Sequence, residues 1–312
     1  MYADSQPGGG GPMALITVIG SINTDQVIGL PTLPRAGETV LGGDLRTFGG
    51  GKGANQAMAA ARLGGQVRMI GRIGADAFGT DRRRELLEAG IDVVGVKVDT
   101  AVPSGVALIL VDDRGENMIA LAPGANGHLT LNEVADAWEP GTRVALAVLE
   151  IPLAAVEEAF RRARADGAET VLNAAPPMEL PDSLLGCVDH LIVNETEAQF
   201  LSGIDAGDRA GAFAAAARLR ESVAKSVIVT LGGDGAVLYT ATGRHFPAFE
   251  IEAMDTTAAG DAFCGAFGLA RARGSDLLEC MRYASAAGAL TATRAGAQPS
   301  LPTASEVEDL LG

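Results

Sequence analysis

The chain has 312 residues, of which 47% are hydrophobic and 20% are charged, a balance typical of a soluble globular protein with a sizeable core. Acidic residues outnumber basic residues by 39 to 24, and the formal charge of −15 argues against nucleic acid and anionic membrane surfaces as partners. No apolar run approaches the roughly 20 residues that a membrane span requires.

Neither the N-terminal segment nor the cysteines are predicted to carry chemistry. We expect Gly-rich residues 1–13 to be a disordered extension or tag and residues 14–312 to be the folded domain. The cysteines Cys187, Cys264 and Cys280 have no metal-like spacing, so we expect small buried hydrophobes. Their odd number, without a secretory signal, favours the reducing cytoplasm.

Apolar, β-branched runs predict the strands of a parallel sheet. The first run, Ala14–Gly20, ends at polar residues 21–25, and open α/β sheets bind ligands at such strand ends. Strand and helix patterns then alternate, which predicts a sheet covered by helices on both faces. The later predicted strands are Gln66–Ile73, Arg143–Leu149, Glu169–Leu172, His190–Val193 and Ser226–Leu231. The predicted helices are Ala54–Leu63, Asp81–Ala89, Leu153–Ala165, Arg209–Glu221, Ala258–Arg273, Asp276–Arg294 and Ala304–Leu311.

Two extended segments, at about 26–48 and 94–122, interrupt this alternation. In the second, residues 105–111 and 117–121 flank a polar stretch, which predicts a hairpin. We expect both segments to form a small β-sheet that projects from the main domain as a lid, with an edge extension of the main sheet as the alternative. The predicted fold class is therefore α/β, a three-layer sandwich with a central, mostly parallel sheet and a small β-sheet lid.

The segment Asp255–Asp261 indicates phosphoryl transfer. Two aspartates flank a run of small residues, and a small-residue helix follows. Free amides at a helix N-terminus form a ready site for phosphate, and small side chains let a ligand approach them. Beside such a site, Asp261 is suited to take a proton from an attacking hydroxyl. A turn residue is the alternative for Asp255, and a solvated helix residue is the alternative for Asp261.

The segment Gly49–Gln56 leads from glycines into an Ala-rich helix. Glycines before a helix free its first amides for a ligand, and Lys52 and Asn55 offer donors to hydroxyls or phosphate. It is not a Walker A loop, because Gly53 stands where that motif has Ser or Thr. A purely structural turn into a helix is the alternative.

Polar residues at two further strand ends are candidate nucleotide contacts. Asn194 and Glu197 either form a helix capping box or lie near phosphates and Mg²⁺, respectively. Thr230 and Gly232 belong either to a plain turn or to a phosphate-binding turn.

For two more segments the sequence allows either a structural or a binding role. Glu150 is a candidate ligand at a strand end, or simply the residue before a helix that starts near Pro152. The loop after the helix that ends near 294 either exposes carbonyls to a monovalent cation or is an ordinary Gly-terminated helix end.

Together and in this order, the motifs resemble the ribokinase family, the PfkB-type carbohydrate kinases, over essentially Leu15–Leu311. They are GSINTD at 20–25, GGKGANQ at 50–56, NETE at 194–197, TLG at 230–232, DTTAAGD at 255–261 and GAQPS at 296–300. The resemblance implies ATP-dependent phosphorylation of D-ribose at its 5-hydroxyl, with Mg²⁺ and K⁺ as cofactors. It also implies a homodimer that pairs through the β lid.

The resemblance assigns roles to individual residues. It implies Asp261 as the catalytic base, with the amides of Ala258, Ala259 and Gly260 as the anion hole. The residues expected to hold the sugar are Asn23, Asp25, Gly51, Lys52, Asn55, Glu150 and Asp261. Those expected to face ATP are Asn194, Thr230, Gly232, Gly260 and Ser285, with Glu197 at Mg²⁺. Those expected to shape a K⁺ site are Asp255, Thr257, Thr291, Arg294, Gly296 and Ser300.

Two positions depart from the family pattern. Ala258 stands where many members have Gly, which leaves slightly less backbone freedom. Gly49 stands where members often have Phe or Pro, so the sugar is less determined than the reaction. A PfkB-type kinase for deoxyribose, another sugar or a nucleoside remains an alternative, although three Tyr and one Trp give little sign of a base pocket. A non-catalytic sugar-binding relative is a further alternative, against which the presence of Asp261 argues.

Overall fold

The computed structural model describes residues 15–312, so the predicted extension at 1–13 and Ala14 lie outside the described residues. Its strands are β1 (Leu15–Ile19), β2 (Asn23–Leu30), β3 (Arg46–Gly50), β4 (Gln66–Gly74), β5 (Asp92–Asp99), β6 (Gly105–Asp112), β7 (Asn117–Ala122), β8 (Val144–Val148), β9 (Glu169–Asn173), β10 (His190–Asn194), β11 (Ser226–Thr230), β12 (Ala236–Tyr239) and β13 (Gly243–Phe246). Its α-helices are α1 (Lys52–Arg62), α2 (Ala77–Glu88), α3 (Leu131–Ala137), α4 (Leu153–Ala165), α5 (Asp182–Leu185), α6 (Glu195–Ser202), α7 (Arg209–Arg220), α8 (Ala259–Ala272), α9 (Leu277–Ala292) and α10 (Ala304–Leu311).

The central sheet has nine strands in the order β13-β12-β11-β10-β9-β8-β1-β4-β5. Neighbours from β11 to β5 run parallel, and β12 and β13 are antiparallel at one edge. Alternate residues of a strand face opposite sides of a sheet. Val144 and Leu146 accordingly pack in one core with Phe267 of α8, whereas Ala145 packs in a second core with Phe160 of α4. Helices therefore cover both faces, which confirms the predicted three-layer α/β sandwich.

The separate small sheet is also confirmed, with the strand order β3-β2-β6-β7. The predicted hairpin is β6 and β7, closed by a turn in which the Asp112 amide donates to Glu116 O at 2.9 Å. The predicted start of the second lid segment at 94 is wrong, because β5 pairs in parallel with β4 and forms the outer strand of the central sheet. The helix α2 between β4 and β5 makes them a parallel crossover unit. Strand propensity alone does not specify which of two sheets a strand joins.

Two helix starts were predicted differently from what is observed. The helix predicted at 81–89 begins earlier, at Ala77, because the Asp76 side chain caps it by accepting from Gly79 N at 2.7 Å. α1 begins at Lys52 rather than Ala54, directly after the glycines.

The three cysteines are free thiols, and Cys264 and Cys280 are buried as expected while Cys187 is half-buried. Within residues 15–312, no helix combines the length and apolar character needed to cross a membrane.

The parallel strands all deliver their carboxyl ends to one edge of the central sheet. At that edge β1, β8, β9, β10 and β11 are followed by polar residues or end in them, and the helices α1 and α8 begin close by. This is the edge at which open α/β sheets bind ligands.

Candidate active site

Asp261 lies in the first turn of α8 and is only 7% exposed. Both of its carboxylate oxygens accept hydrogen bonds from side-chain amides of α1. Asn55 Nδ2 donates to Oδ2 at 2.9 Å, and Gln56 Nε2 donates to Oδ1 at 3.0 Å. These contacts bring together the two motifs that the sequence separates by about 200 residues.

The residue before α8, Ala258, adopts a left-handed backbone conformation with φ 61°. Among the described residues it is the only non-glycine residue with positive φ. This conformation costs an L-residue roughly 1–2 kcal/mol, so the sequence departure noted above has a measurable price in stability. The turn also engages one of the three predicted anion-hole amides, because Ala259 N donates to Thr256 O at 3.1 Å.

A cavity of about 230 Å³ opens at the start of α8. Its walls come from α1, α6, α8 and the ends of β9, β10 and β11. The predicted site residues among its lining are Lys52, Asn194, Glu197, Thr230, Ala258, Gly260 and Asp261. The structure therefore gathers at one cavity the predicted base and most of the residues predicted to face ATP. A second cavity of about 360 Å³ lies at α5, α6 and α7 and contains none of the predicted site residues.

Three carboxylates act on Lys52 at this cavity. The negative charge of Asp261 is the main cause that raises the pKa of Lys52, and Glu150 and Glu197 add to it against the effect of burial. Burial raises the pKa of Glu197, which is 5% exposed. A half-buried lysine near carboxylates is suited to meet a phosphoryl group as negative charge builds up on it.

The predicted sugar residues lie next to the cavity, where the two sheets meet. Asp25 packs against Gly50, at which an added Cβ would be 2.1 Å from Asp25 Oδ2. An added Cβ at Gly51 would be 2.7 Å from Asn23 N, and its φ of 88° also favours glycine. Burial raises the pKa of Asp25 to about 6, with smaller contributions from the charges of Glu150 and Asp261. The glycines thus allow the Asp25 carboxylate and the Asn23 backbone to approach the start of α1 closely.

Glu150 caps the start of α1. Its Oε2 accepts from Lys52 N at 3.1 Å and from the Ser21 hydroxyl. A carboxylate at a helix N-terminus also interacts favourably with the helix dipole. Glu150 therefore fixes the start of α1 whether or not it contacts a ligand.

The orientation of the Asn23 amide is set by Asn126, a residue that the sequence did not single out. Asn126 Nδ2 donates to Asn23 Oδ1 at 2.7 Å, and Asn126 Oδ1 accepts from Ile22 N at 2.8 Å. Since the bond from Asn126 Nδ2 engages the Asn23 oxygen, the Asn23 Nδ2 group is the donor left for a ligand.

Among the residues predicted to contact the nucleotide or Mg²⁺, Asn194 and Glu197 form the capping box of α6. The structure thus contains the helix cap that was the alternative to a binding role for this motif. Both residues nevertheless line the cavity. Thr230 lines it as well, with its hydroxyl 3.4 Å from Val193 O. Gly232, in a short 3-10 turn, and Ser285, in the middle of α9, are not among the lining residues, and their contacts with ATP stay predictions.

The predicted K⁺ residues lie in two segments, the loop before α8 and the end of α9 with the loop after it, and Asp255 joins the two. Its Oδ1 accepts from Thr257 N at 2.9 Å, and its Oδ2 accepts from Gly296 N at 2.8 Å. Burial alone would raise the pKa of Asp255, but these hydrogen bonds outweigh it and the pKa is lowered. The side chains of three other members are engaged elsewhere: Thr291 with Ala287 O, Ser300 with Ala297 O and Arg294 with Glu306. The guanidinium of Arg294 cannot ligate a cation, so this residue would contribute its carbonyl group, whereas Thr291 and Ser300 could contribute a carbonyl or a hydroxyl oxygen.

Three more side chains at the site were not predicted. Gln56 was part of the glycine-rich motif but had no assigned role. Asn173, at the end of β9, accepts from Gln56 Nε2 at 3.0 Å, and the strand-end rule applied to Asn23 could have found it. Gln298 donates to Asn55 Oδ1 at 3.3 Å and so links the loop after α9 to Asp261 through Asn55. Nothing in the sequence pattern indicated this last contact.

The fold and the site together define an α/β phosphotransferase, with a buried aspartate at a helix N-terminus, in the wall of a cavity that Lys52 also lines and next to a polar pocket. The model of the pfkB family carbohydrate kinases matches residues 13–304, and the chain belongs to this family. It is 40% identical to a ribokinase from Haemophilus influenzae, over 95% of this chain and 98% of the relative. It is 34% identical to a deoxyribokinase from Salmonella typhimurium, over 95% of this chain and 98% of the relative.

The fold of this chain is also similar to that of a solved ribokinase structure. The Arabidopsis thaliana ribokinase, complexed with ribose and ATP, superposes with a TM-score of 0.86 at 30% identity. The superposition covers 96% of this chain and 98% of that one. The similarity therefore extends over both the central sheet and the smaller sheet.

Proposed function

We propose that this protein phosphorylates D-ribose at its 5-hydroxyl with ATP and that Asp261 is the general base. The observation that carries the proposal is the position of the Asp261 carboxylate. It lines the cavity that contains Lys52, and it bonds to Asn55 of the motif that packs against Asn23 and Asp25. One carboxylate thus touches the sites expected for both substrates.

The proposed reaction needs positioning and charge neutralisation rather than covalent catalysis. The sugar hydroxyl would give its proton to Asp261 while its oxygen attacks the γ-phosphorus of ATP, and the bond to the leaving ADP would break. Lys52 and the amides of Ala258 and Gly260 are the groups that would stabilise the charge on the transferred phosphoryl group, since the Ala259 amide already donates to Thr256 O. Asn23 and Asp25 would orient the sugar as donor and acceptor.

The residues present fit the two cations that the family resemblance implies. Mg²⁺ usually binds through one or two carboxylates, several waters and substrate phosphates. Within residues 15–312 no group of three or more His, Cys, Asp or Glu could hold a metal by itself. Glu197, in the cavity wall, is the carboxylate that would serve Mg²⁺, whose charge would neutralise the phosphates. For K⁺, Asp255 with carbonyls of the loop at 291–300 would supply the oxygens, and the cation would support the turn before α8.

The acceptor is proposed as ribose because ribokinases are among the most similar relatives and because Asp25 suits two neighbouring hydroxyls. Deoxyribose is the second candidate, since a deoxyribokinase is 34% identical over nearly the whole chain. The two sugars differ by a single hydroxyl group, at carbon 2. A site whose buried polar groups bond that hydroxyl would discriminate strongly against the sugar that lacks it.

The proposal includes a homodimer in the cytoplasm. Exposed apolar side chains of the smaller sheet support the dimer: Leu108 is 51%, Met118 50%, Ile119 58% and Leu121 43% exposed. The register of β6 and β7 puts Leu108 and Met118 on one face of the smaller sheet and Ile119 and Leu121 on the other. Exposed apolar patches on a soluble protein mark interaction sites. Three free thiols support a reducing compartment.

Asp261→Asn tests the role of the base. The substitution keeps the shape of the side chain and removes its proton affinity, so kcat is expected to fall about 100-fold or more, the usual contribution of a general base. Ribose binding, measured by calorimetry, is expected to persist. Asp113→Asn, at an exposed turn of the smaller sheet, is the matched control. Wild-type turnover by Asp261→Asn would disprove the assignment.

A further inference from the structure

Gln56 is a buried amide with no role in the reaction described so far. It lies on α1 one residue after Asn55 and has no exposed surface. Its Nε2 group donates one hydrogen bond to Asp261 Oδ1 and one to Asn173 Oδ1, each at 3.0 Å. Its Oε1 atom is buried and has no hydrogen-bond partner among residues 15–312.

The orientation of this amide follows from its neighbours. Asn173 Nδ2 donates to Ile192 O at 3.3 Å, which directs Asn173 Oδ1 toward Gln56. A flipped Gln56 amide would point its oxygen at two other acceptor oxygens, one of them on a carboxylate. Gln56 therefore connects Asp261 to the strands β9 and β10, which belong to the rigid centre of the sheet.

The two amides that hold Asp261 differ in what else they can do. Asn55 is 6% exposed and belongs to the proposed sugar site, so a bound sugar competes for its side chain. Gln56 is fully enclosed and has no path to a substrate. If a bound sugar draws Asn55 Nδ2 away from Asp261, Gln56 would remain as the donor on Oδ1, and Oδ2 would be the free oxygen.

We propose that Gln56 is a positioning residue that holds Oδ1 of Asp261 so that Oδ2 takes the proton of the attacking hydroxyl. In this step the O–H bond of the sugar breaks and its proton moves to Oδ2. A bond forms between the sugar oxygen and the γ-phosphorus, and the bridging bond to ADP breaks with its electron pair. The inference rests on the proposed function, because it assigns one oxygen of the same base.

Gln56→Met tests the role, because methionine has a similar length and cannot donate. We expect kcat to fall about 10- to 100-fold, by analogy with the loss seen when an outer partner that orients a metal ligand is removed. Calorimetric ribose affinity should stay near the wild-type value. The acid side of the pH profile of kcat should move to higher pH, because the ionised carboxylate loses a donor that favours it.

Gln56→Glu should lose more activity than Gln56→Met at high pH, because a second carboxylate would face Asp261. Gln66→Met, at the exposed start of β4, is the matched control.

A crystal structure of Gln56→Met gives a readout that does not require turnover. We expect the Asp261 carboxylate to rotate from its wild-type plane. An unchanged plane would overturn the proposal, as would a wild-type kcat with a wild-type pH profile. A fall in kcat that only follows the folded fraction measured by circular dichroism, or that is matched by an equal loss of ribose affinity, would also overturn it. If the carboxylate rotates but the wild-type protein does not phosphorylate ribose, the proposed function fails while the positioning role stands.

Discussion

Asp25→Asn is expected to stabilise the ligand-free protein while it weakens ribose binding. Burial is the main cause that raises the pKa of Asp25 from 3.8 to about 6. A raised pKa means that the folded state binds the proton more tightly than the unfolded chain, so folding is favoured at low pH. The contribution is complete below pH 3.8 and is lost as the pH rises through about 6. At neutral pH the folded protein therefore carries an ionised carboxylate at a cost in stability.

The size of this cost follows from the shift of about two pKa units. Each unit corresponds to about 1.4 kcal/mol, so the ionised Asp25 costs about 3 kcal/mol in the ligand-free protein. Asparagine has a similar shape and carries no charge, so Asp25→Asn recovers up to this amount at pH 8. At pH 5 about half of the cost is already relieved by protonation, and the gain should be about half as large.

Urea unfolding at pH 8 and pH 5 measures both values above the isoelectric point of about 4.6. Asp113→Asn, at an exposed turn, is the control and should change the unfolding free energy little at either pH. Ribose affinity of Asp25→Asn should fall about 10- to 100-fold, because a hydrogen bond to a charged acceptor is lost. The reasoning is refuted if Asp25→Asn destabilises the protein at pH 8, or if its effect is the same at both pH values.

Three further outcomes are expected. Ala258→Gly should raise the unfolding free energy by about 1 kcal/mol in urea, because glycine tolerates the left-handed backbone there; a loss of stability would contradict the strain. Asn126→Ala should raise the KM for ribose about 10-fold with little change for ATP, because it leaves the Asn23 amide without its partner; equal effects on both substrates would count against this role. Ile119→Lys should convert a dimer to a monomer in light scattering, whereas Val94→Lys, 70% exposed on the central sheet, should not; an Ile119→Lys dimer would place the interface elsewhere.

The parts of the site that could be predicted from the sequence are those set by local structure. A run of small residues before a helix places Asp261 in the first turn of α8, and the glycine-rich motif places Lys52 close to the start of α1, although the predicted helix began two residues later. Such signals need no knowledge of distant contacts. The alternation of strands and helices likewise predicts the central sheet, because each unit packs on its neighbour.

The parts that could not be predicted depend on contacts between distant segments. Asn126 and Gln298 bond to site residues that lie more than 100 positions away in the chain. Gln56 is in a recognised motif, but helical periodicity does not tell which of its neighbours it bonds. The strand β5 was assigned to the smaller sheet for the same reason, since its pairing with β4 is a tertiary choice.

The most direct test of the central claim is the product formed from ribose and ATP by the purified protein. Coupled release of ADP gives the rate, and NMR locates the phosphate on the sugar. We expect turnover of the order of 1–100 s⁻¹, as is typical of kinases, and a product whose phosphorus couples to the two protons on carbon 5. Release of ADP with another sugar but not with ribose, or a phosphate on a different carbon, would show that the protein does not phosphorylate ribose at its 5-hydroxyl.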